Sequence, residues 1–235
     1  MQTSHHRPCY YSSRLLEKLK SLDTENKLNF ELISKAIYWA KKYHGNQKRK
    51  SGEPYYSHPL EVAYMISEYK LKTDIIVASI LHDIIEDTPV TAGMILDNFG
   101  WRITEMVDRL TRNRPDGSKL SVEQILENAY KQKDKEVLLI KLIDRLHNVQ
   151  TSWVKSPEKL QKICKETIEE FIILVLYLGN LDLVKELTTI CYNTANVLPT
   201  SEHMYLSPLL KAPSILSQVS QNDSIQTKIL NLLEL

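Results

Sequence analysis

The run Ile75–Leu81 (IIVASIL) is almost entirely apolar and passes without a break into HDIIEDT. Four ionisable residues, His82, Asp83, Glu86 and Asp87, thus fall within six positions. A segment this apolar belongs in a core, and carboxylates carried into a core are costly unless they are paired or bind a metal. The fold must bury this stretch and still give its charges partners. The surrounding sequence supplies helices. Only six of the 235 residues are glycine, and apolar residues recur at helical spacing along nearly the whole chain. Between Leu28 and Tyr43 they fall at Leu28, Leu32, Ile33, Ala36, Ile37 and Ala40, one face of a helix. This pattern predicts an all-α bundle of about eight to ten helices.

Punctuation residues place the elements. His44 and Gly45 end the helix that begins at Leu28, and Pro59 sits in the first turn of the next. Thr73 or Asp74 is expected to cap the helix that carries the charged stretch, and Pro89 to close it. Short helices follow at about 91–98 and 101–111, separated by Gly100. Ser121 and Gln124 form a capping-box pattern for a helix to about 131. Further helices are expected at about 134–149, 157–178 and 181–197. The domain reading is a polar lead-in or short helix over 1–27, one helical domain over 28–198, and a tail over 199–235 whose apolar pieces cover the bundle.

The charge balance narrows the partners. A net charge of +1 disfavours a broad nucleic-acid-binding face. The longest apolar run, Phe171–Leu178, is too short to span a bilayer, and the first 20 residues lack the apolar core of a signal peptide. The three cysteines, Cys9, Cys164 and Cys191, form no CxxC pair, which argues against a disulfide scaffold or a structural zinc site. A cytoplasmic protein with no membrane and no nucleic-acid partner is expected.

On a helix, residues four apart share a face, so His82 stacks with Glu86 and Asp83 with Asp87. Imidazole and carboxylate both ligate divalent ions. The second pair of carboxylates, one turn on, is placed to touch a metal-bound water and to orient it or take its proton. The plainer reading is a chance His-Asp dipeptide followed by helix-end chemistry at Asp87-Thr88-Pro89. Two other segments favour the metal. His58 precedes Pro59 at a helix start, and Asp144 lies in the apolar stretch VLLIKLIDRLHN, where Val137, Leu138, Ile140 and Leu142 suggest burial. Asp144 has a simple salt bridge to Arg145 as its alternative. Together His58, His82, Asp83 and Asp144 supply two nitrogens and at least two oxygens, a set suited to a redox-inert ion such as Mn²⁺ with positions left for water.

Three stretches, HGNQKRKSGEPYYSHP (44–59), LHDIIEDT (81–88) and KLIDRLHNVQT (141–151), carry a resemblance. In order and spacing the chain resembles the HD-domain hydrolases, specifically the hydrolase module of the RelA/SpoT-type alarmone enzymes, over roughly residues 28–180. The resemblance implies Mn²⁺-dependent removal of the 3′ pyrophosphate from the guanine alarmone nucleotides, guanosine 3′,5′-bis-diphosphate and its pentaphosphate relative, leaving GDP or GTP. It implies metal binding by His58, His82, Asp83 and Asp144, and water activation by Glu86 and Asp87. It assigns substrate contacts to Arg49, Lys50, Ser51 and Tyr55 in the basic loop, and nucleoside contacts to Asn148 and Thr151. The residues suit these roles: a guanidinium stacks on a purine, Lys48 and Lys50 are point charges for phosphates, and Tyr55 offers a ring and a hydroxyl. The plain alternative for QKRK is a solvated basic loop.

Within the matched runs, His44 is read as holding the loop, and His147 as a packing residue ahead of the alternative that it supports the metal ligands from behind. His5, His6 and His203 are read as surface residues. Only about 55 residues follow Gly179, and no synthetase-type Lys-rich, Gly-containing motif is present, so hydrolysis without synthesis is expected. The alternatives are hydrolysis of another nucleotide, such as an adenosine alarmone or NADPH, and an inactive nucleotide-binding module. A homo-oligomer is one option the sequence leaves open.

Overall fold

Helix α4 (Thr73–Leu81) explains why the apolar run is so continuous: every residue from Ile75 through Leu81 is fully buried. A helix apolar on all sides needs neighbours on all sides. It packs against α2 (Phe30–His44), α3 (Ser57–Ile66) and α7 (Trp101–Leu110). These bring Ile33, Ala36, Ile37 and Ala40 from α2, Leu60, Val62, Ala63 and Ile66 from α3, and Ile103, Met106, Val107 and Leu110 from α7 into the core. The one polar group inside α4, the Ser79 hydroxyl, donates to the Ile75 carbonyl at 2.6 Å, so it is buried without loss.

The computed structural model describes residues 9–113 and 117–167, together with 171, 186, 187, 189–191 and 193. Among these residues there are ten α-helices and a short 3₁₀ turn, and no strand longer than an isolated bridge. The all-α expectation holds. The remaining helices are α1 (Tyr10–Leu22), α5 (Ile84–Asp87), α6 (Ala92–Phe99), α8 (Val122–Lys131), α9 (Lys135–Gln150) and α10 (Pro157–Glu166). Within the expected lead-in, α1 forms and buries Leu15 and Leu19 as it packs on α3. The helix expected over 181–197, the stretch of the 157–178 helix beyond residue 171, the tail 199–235 and His5, His6 and His203 lie wholly or mostly outside the described residues.

The chain divides into two compact units, Met1–His147 and Asn148–Leu235. In the second, Val149, Cys164 and Cys191 form a small buried cluster with Ile163 and Ile190 against it. All three cysteines are free thiols.

Local chemistry sets the boundaries in the first unit. Asn29 caps α2 by accepting from the Leu32 N–H at 2.9 Å. Ser121 and Gln124 make the expected capping box on α8. Gly100 (φ +84°) turns α6 directly into α7, in a conformation that few other residues adopt. Two expectations about α4 need correcting. Thr73 and Asp74 lie inside the helix and Lys72 precedes it; the Thr73 hydroxyl accepts the Asn29 N–H at 2.9 Å, and no side chain caps α4. Nor does one helix carry the whole charged stretch. It breaks at His82–Asp83, where Asp83 (φ −98°, ψ −3°) leaves ideal helical geometry and the His82 ring bonds the Ser79 carbonyl.

Candidate active site

The break at His82–Asp83 is where the first unit gathers its buried charge. His58 enters from the first turn of α3, held by a tight turn in which its N–H donates to the Tyr55 carbonyl at 3.1 Å. Asp144 enters from α9, flanked by the fully buried Ile140, Leu142, Ile143 and Leu146. One ligand-capable atom each of His58, His82 and Asp144 lie within 4.8 Å of one another, and all three residues are buried. His58 Nε2 is 3.1 Å from Asp144 Oδ1 and 3.6 Å from Asp83 Oδ2. His82 Nε2 is 3.3 Å from Asp83 Oδ1 and 3.8 Å from Asp144 Oδ1. The four residues singled out as ligands from the sequence therefore converge.

The protonation of His82 follows from its surroundings. Its Nδ1 lies 2.7 Å from the Ser79 carbonyl, which can only accept, so Nδ1 carries a proton. Its Nε2 is buried with no hydrogen-bond partner among the described residues. Burial alone would discourage a charge on the ring, but the Asp83 and Asp144 carboxylates overcome it and push His82 well above its ordinary value. Burial likewise opposes the charge on Asp83, yet His82 beside it holds that carboxyl well below the usual carboxylate range. Two carboxylates thus draw positive charge to the point where the unpartnered nitrogen sits. A divalent cation fits that point, with two imidazoles and two carboxylates as donors.

Each ligand is also held from behind. Lys141, three residues before Asp144 on α9, donates to Asp144 Oδ2 at 3.1 Å and leaves Oδ1 facing the two histidines. Burial would lower the Lys141 ammonium, but Asp144 and Asp83 raise it. The sequence reading missed Lys141, since Arg145 stood out as the neighbouring cation; the i, i+3 spacing to Asp144 was the available signal. His147, read as packing, has its Nδ1 2.7 Å from His58 Nδ1 and so touches a ligand directly. Burial above all, then the nearby His58 ring and the Arg49 guanidinium, push it down to about 3, so it is neutral.

Glu86 and Asp87, on the short α5, stand beside this cluster in different settings. Glu86 Oε1 accepts the backbone N–H of Arg112, just past α7. Asp87 Oδ2 accepts the Tyr55 hydroxyl at 2.6 Å, and the same hydroxyl is 3.2 Å from Asp83 Oδ2. Asp83 and Asp87 therefore do share a face, as their spacing predicts. Gln47 donates to the Asp87 carbonyl at 2.7 Å and faces His44 Nδ1 at 2.9 Å, while the His44 ring stacks on Tyr55 with centroids 4.8 Å apart. Gln47 is a second residue missed from sequence. His44 holds the loop, as expected.

The basic loop is a small ordered hairpin. Arg49 N–H donates to the Glu53 carbonyl at 2.9 Å, Tyr55 N–H to the Gln47 carbonyl at 2.8 Å, and Gly52 (φ +94°) makes the reversal. Lys50 is exposed, Arg49 is half-buried, and the Ser51 hydroxyl donates to Glu53 at 2.7 Å. Asn148 and Thr151, at the end of α9, belong to the second unit and are described apart from this cluster.

The HD domain family matches residues 36–174, more than half of the chain and all of the residues just described. The chain belongs to the HD-domain family. The chain is 39% identical over 178 residues to a guanosine-3′,5′-bis(diphosphate) 3′-pyrophosphohydrolase of Aquifex aeolicus, covering 74% of this chain and 25% of that one. It is 38% identical over 176 residues to a GTP pyrophosphokinase rsh of Brucella ovis, covering 72% and 23%. The chain thus spans about a quarter of the length of these curated relatives. Among solved structures, a metazoan ortholog of SpoT described as hydrolysing ppGpp superposes with a TM-score of 0.53 at 20% identity, covering 79% of this chain and 98% of that one. That likeness is one of fold. No helix among the described residues is long and apolar enough to cross a membrane.

Proposed function

We propose that this chain is a Mn²⁺-dependent hydrolase of guanosine 3′,5′-bis(diphosphate) and its pentaphosphate relative, releasing pyrophosphate and leaving GDP or GTP. The observation that carries the reading is the meeting of His58, His82, Asp83 and Asp144 around one unpartnered buried nitrogen, with Glu86 and Asp87 alongside. The name of the Aquifex relative supports the nucleotide.

In this reading the four residues would hold the cation, which would lower the pKa of a water and offset phosphoryl charge. Glu86 and Asp87 orient the attacking water and accept its proton. The water oxygen joins phosphorus, the bond from phosphorus to the ribose 3′ oxygen breaks, and that oxygen ends protonated. Arg49 stacks on the purine and Lys50 faces the phosphates, with Ser51 and Tyr55 lining the loop. Donors of this kind, two imidazoles and two carboxylates without thiolate, favour Mn²⁺ over a structural zinc.

The test is direct. Purified protein with Mn²⁺ and ppGpp is expected to yield GDP and pyrophosphate in equal amounts, faster than it turns over an adenosine alarmone or NADPH. Protein that binds Mn²⁺ but leaves ppGpp intact would remove the reading. Faster turnover of one of the other nucleotides would reassign the base pocket and keep the metal chemistry.

A further inference from the structure

We infer that His147 is a positioning residue: by accepting the Nδ1–H of His58 it leaves the His58 Nε2 lone pair facing Asp83, Asp144 and His82, where the cation would be held. The inference rests on the cation reading above. Its starting point is the contact of two Nδ1 atoms at 2.7 Å. Two bare nitrogens would repel at that distance, so one proton lies between them. Without a cation the other nitrogen of His58 lies 3.1 Å from Asp144 Oδ1, to which it can only donate, and 3.6 Å from Asp83 Oδ2; a cation seated there would take the place of that proton. A neutral imidazole carries one proton, so an Nε2 free to ligate requires a protonated Nδ1. His58 is buried, and a buried N–H without an acceptor costs ~1–3 kcal/mol. His147 Nδ1 is the acceptor at hand.

The comparison with His82 sharpens the point. There the rear nitrogen donates to the Ser79 carbonyl, a backbone group that can only accept, so the tautomer is fixed by the fold. Asp144 is fixed in a similar sense, with Lys141 on the oxygen that faces away from the histidines. At His58 a side chain takes this task, and a side chain can be replaced. The rings of His58 and His147 lie 4.8 Å apart at 34°, tilted rather than face to face, so their contact is through the nitrogens. The sequence carries the signal: His147 follows Asp144 by three residues on α9, and so shares its face.

The experiment strips the full chain with EDTA and titrates Mn²⁺ by isothermal calorimetry, with the melting midpoint of each metal-free protein read alongside. His147→Leu is expected to weaken Mn²⁺ binding ~10–100-fold, the usual loss when a ligand's outer partner is removed. His147→Asn, whose side-chain oxygen can accept where Nδ1 did, is expected to stay within about threefold of the natural protein, a small part of that loss. If leucine there does not fold, His147→Met replaces it in the same comparison. Unchanged affinity in the leucine or methionine variant overturns the inference. So does an equal loss in the asparagine variant, since packing alone would then explain it. Failure of the natural protein to bind Mn²⁺ overturns this inference together with the proposed function, whereas natural binding with an indifferent His147→Leu overturns the inference alone.

Discussion

Glu86 and Asp87 are adjacent carboxylates with different anchors, and the difference tells what each substitution should do. Glu86 is pinned through one oxygen by the Arg112 N–H, an anchor that Gln can keep through its own carbonyl oxygen. Glu86→Gln should therefore preserve geometry and Mn²⁺ binding while removing the charge that accepts a proton. Turnover of ppGpp is expected to fall ~10²–10⁴-fold, and an unchanged rate would take Glu86 out of the chemistry. Asp87 is instead held by Tyr55, whose single hydroxyl proton sits between it and Asp83. Burial and these carboxylates push the Tyr55 phenol up, so it donates at neutral pH. Tyr55→Phe is expected to lower kcat ~10–100-fold, since a hydrogen bond to a charged group contributes ~1.5–3 kcal/mol. KM should hold steady if the hydroxyl serves Asp87, and rise if it serves the nucleotide. Steady-state kinetics on the one variant thus separate the role suggested by resemblance from the role suggested by contact.

Helix α9 shows how an element delivers a ligand. Its start is set by Asp134, which accepts the Val137 N–H at 3.2 Å while its other oxygen takes Arg109 from α7. Before it, α8 ends in a Schellman turn, with Lys133 left-handed (φ +55°) and the Asp134 N–H reaching back to the Ala129 carbonyl at 2.8 Å. Asp134→Asn keeps the cap and loses the ion pair; Asp134→Ala loses both. Urea denaturation should find both destabilised, the alanine variant by ~1 kcal/mol more, the usual worth of a cap. Equal losses would mean that the cap contributes nothing. Much of α9 was legible in advance, because its apolar run and Asp144 conflict unless the aspartate has partners. The same conflict exposed His82 and Asp83. What stayed hidden was the support behind them. Lys141 and Gln47 are residue types that usually face solvent; the three-residue step from Lys141 to Asp144 was the one hint of its role, and nothing in the sequence marks Gln47 until Asp87 has been placed in space. The break in the charged helix was hidden for a related reason: helical periodicity continues through it, and only the His82 ring on the Ser79 carbonyl shows that the ladder has been interrupted.

The four candidate ligands come from three parts of the chain, the start of α3, the α4–α5 junction and α9, with Asp144 86 positions after His58. In an unfolded chain nothing holds them together, so a cation that needs all four binds the folded form alone. Such a ligand stabilises by mass action, ~2.7 kcal/mol at a hundred times its Kd. For a domain of this size that corresponds to a rise in melting midpoint of roughly 5–10 °C. Calorimetric scans should show the rise with Mn²⁺, lose it with EDTA, and not show it in Asp144→Asn. The metal-free Asp144→Asn protein is the informative control. Neutralising one of two neighbouring carboxylates relieves their repulsion but strands the buried Lys141 ammonium, which makes its main contact with Asp144. Breaking a buried pair by removing one partner costs ~3–5 kcal/mol, so the metal-free variant should melt below the metal-free natural protein. A variant that melts higher would mean that carboxylate crowding, rather than the Lys141 pair, dominates the centre, and that the cation is needed to relieve the fold as well as to equip it.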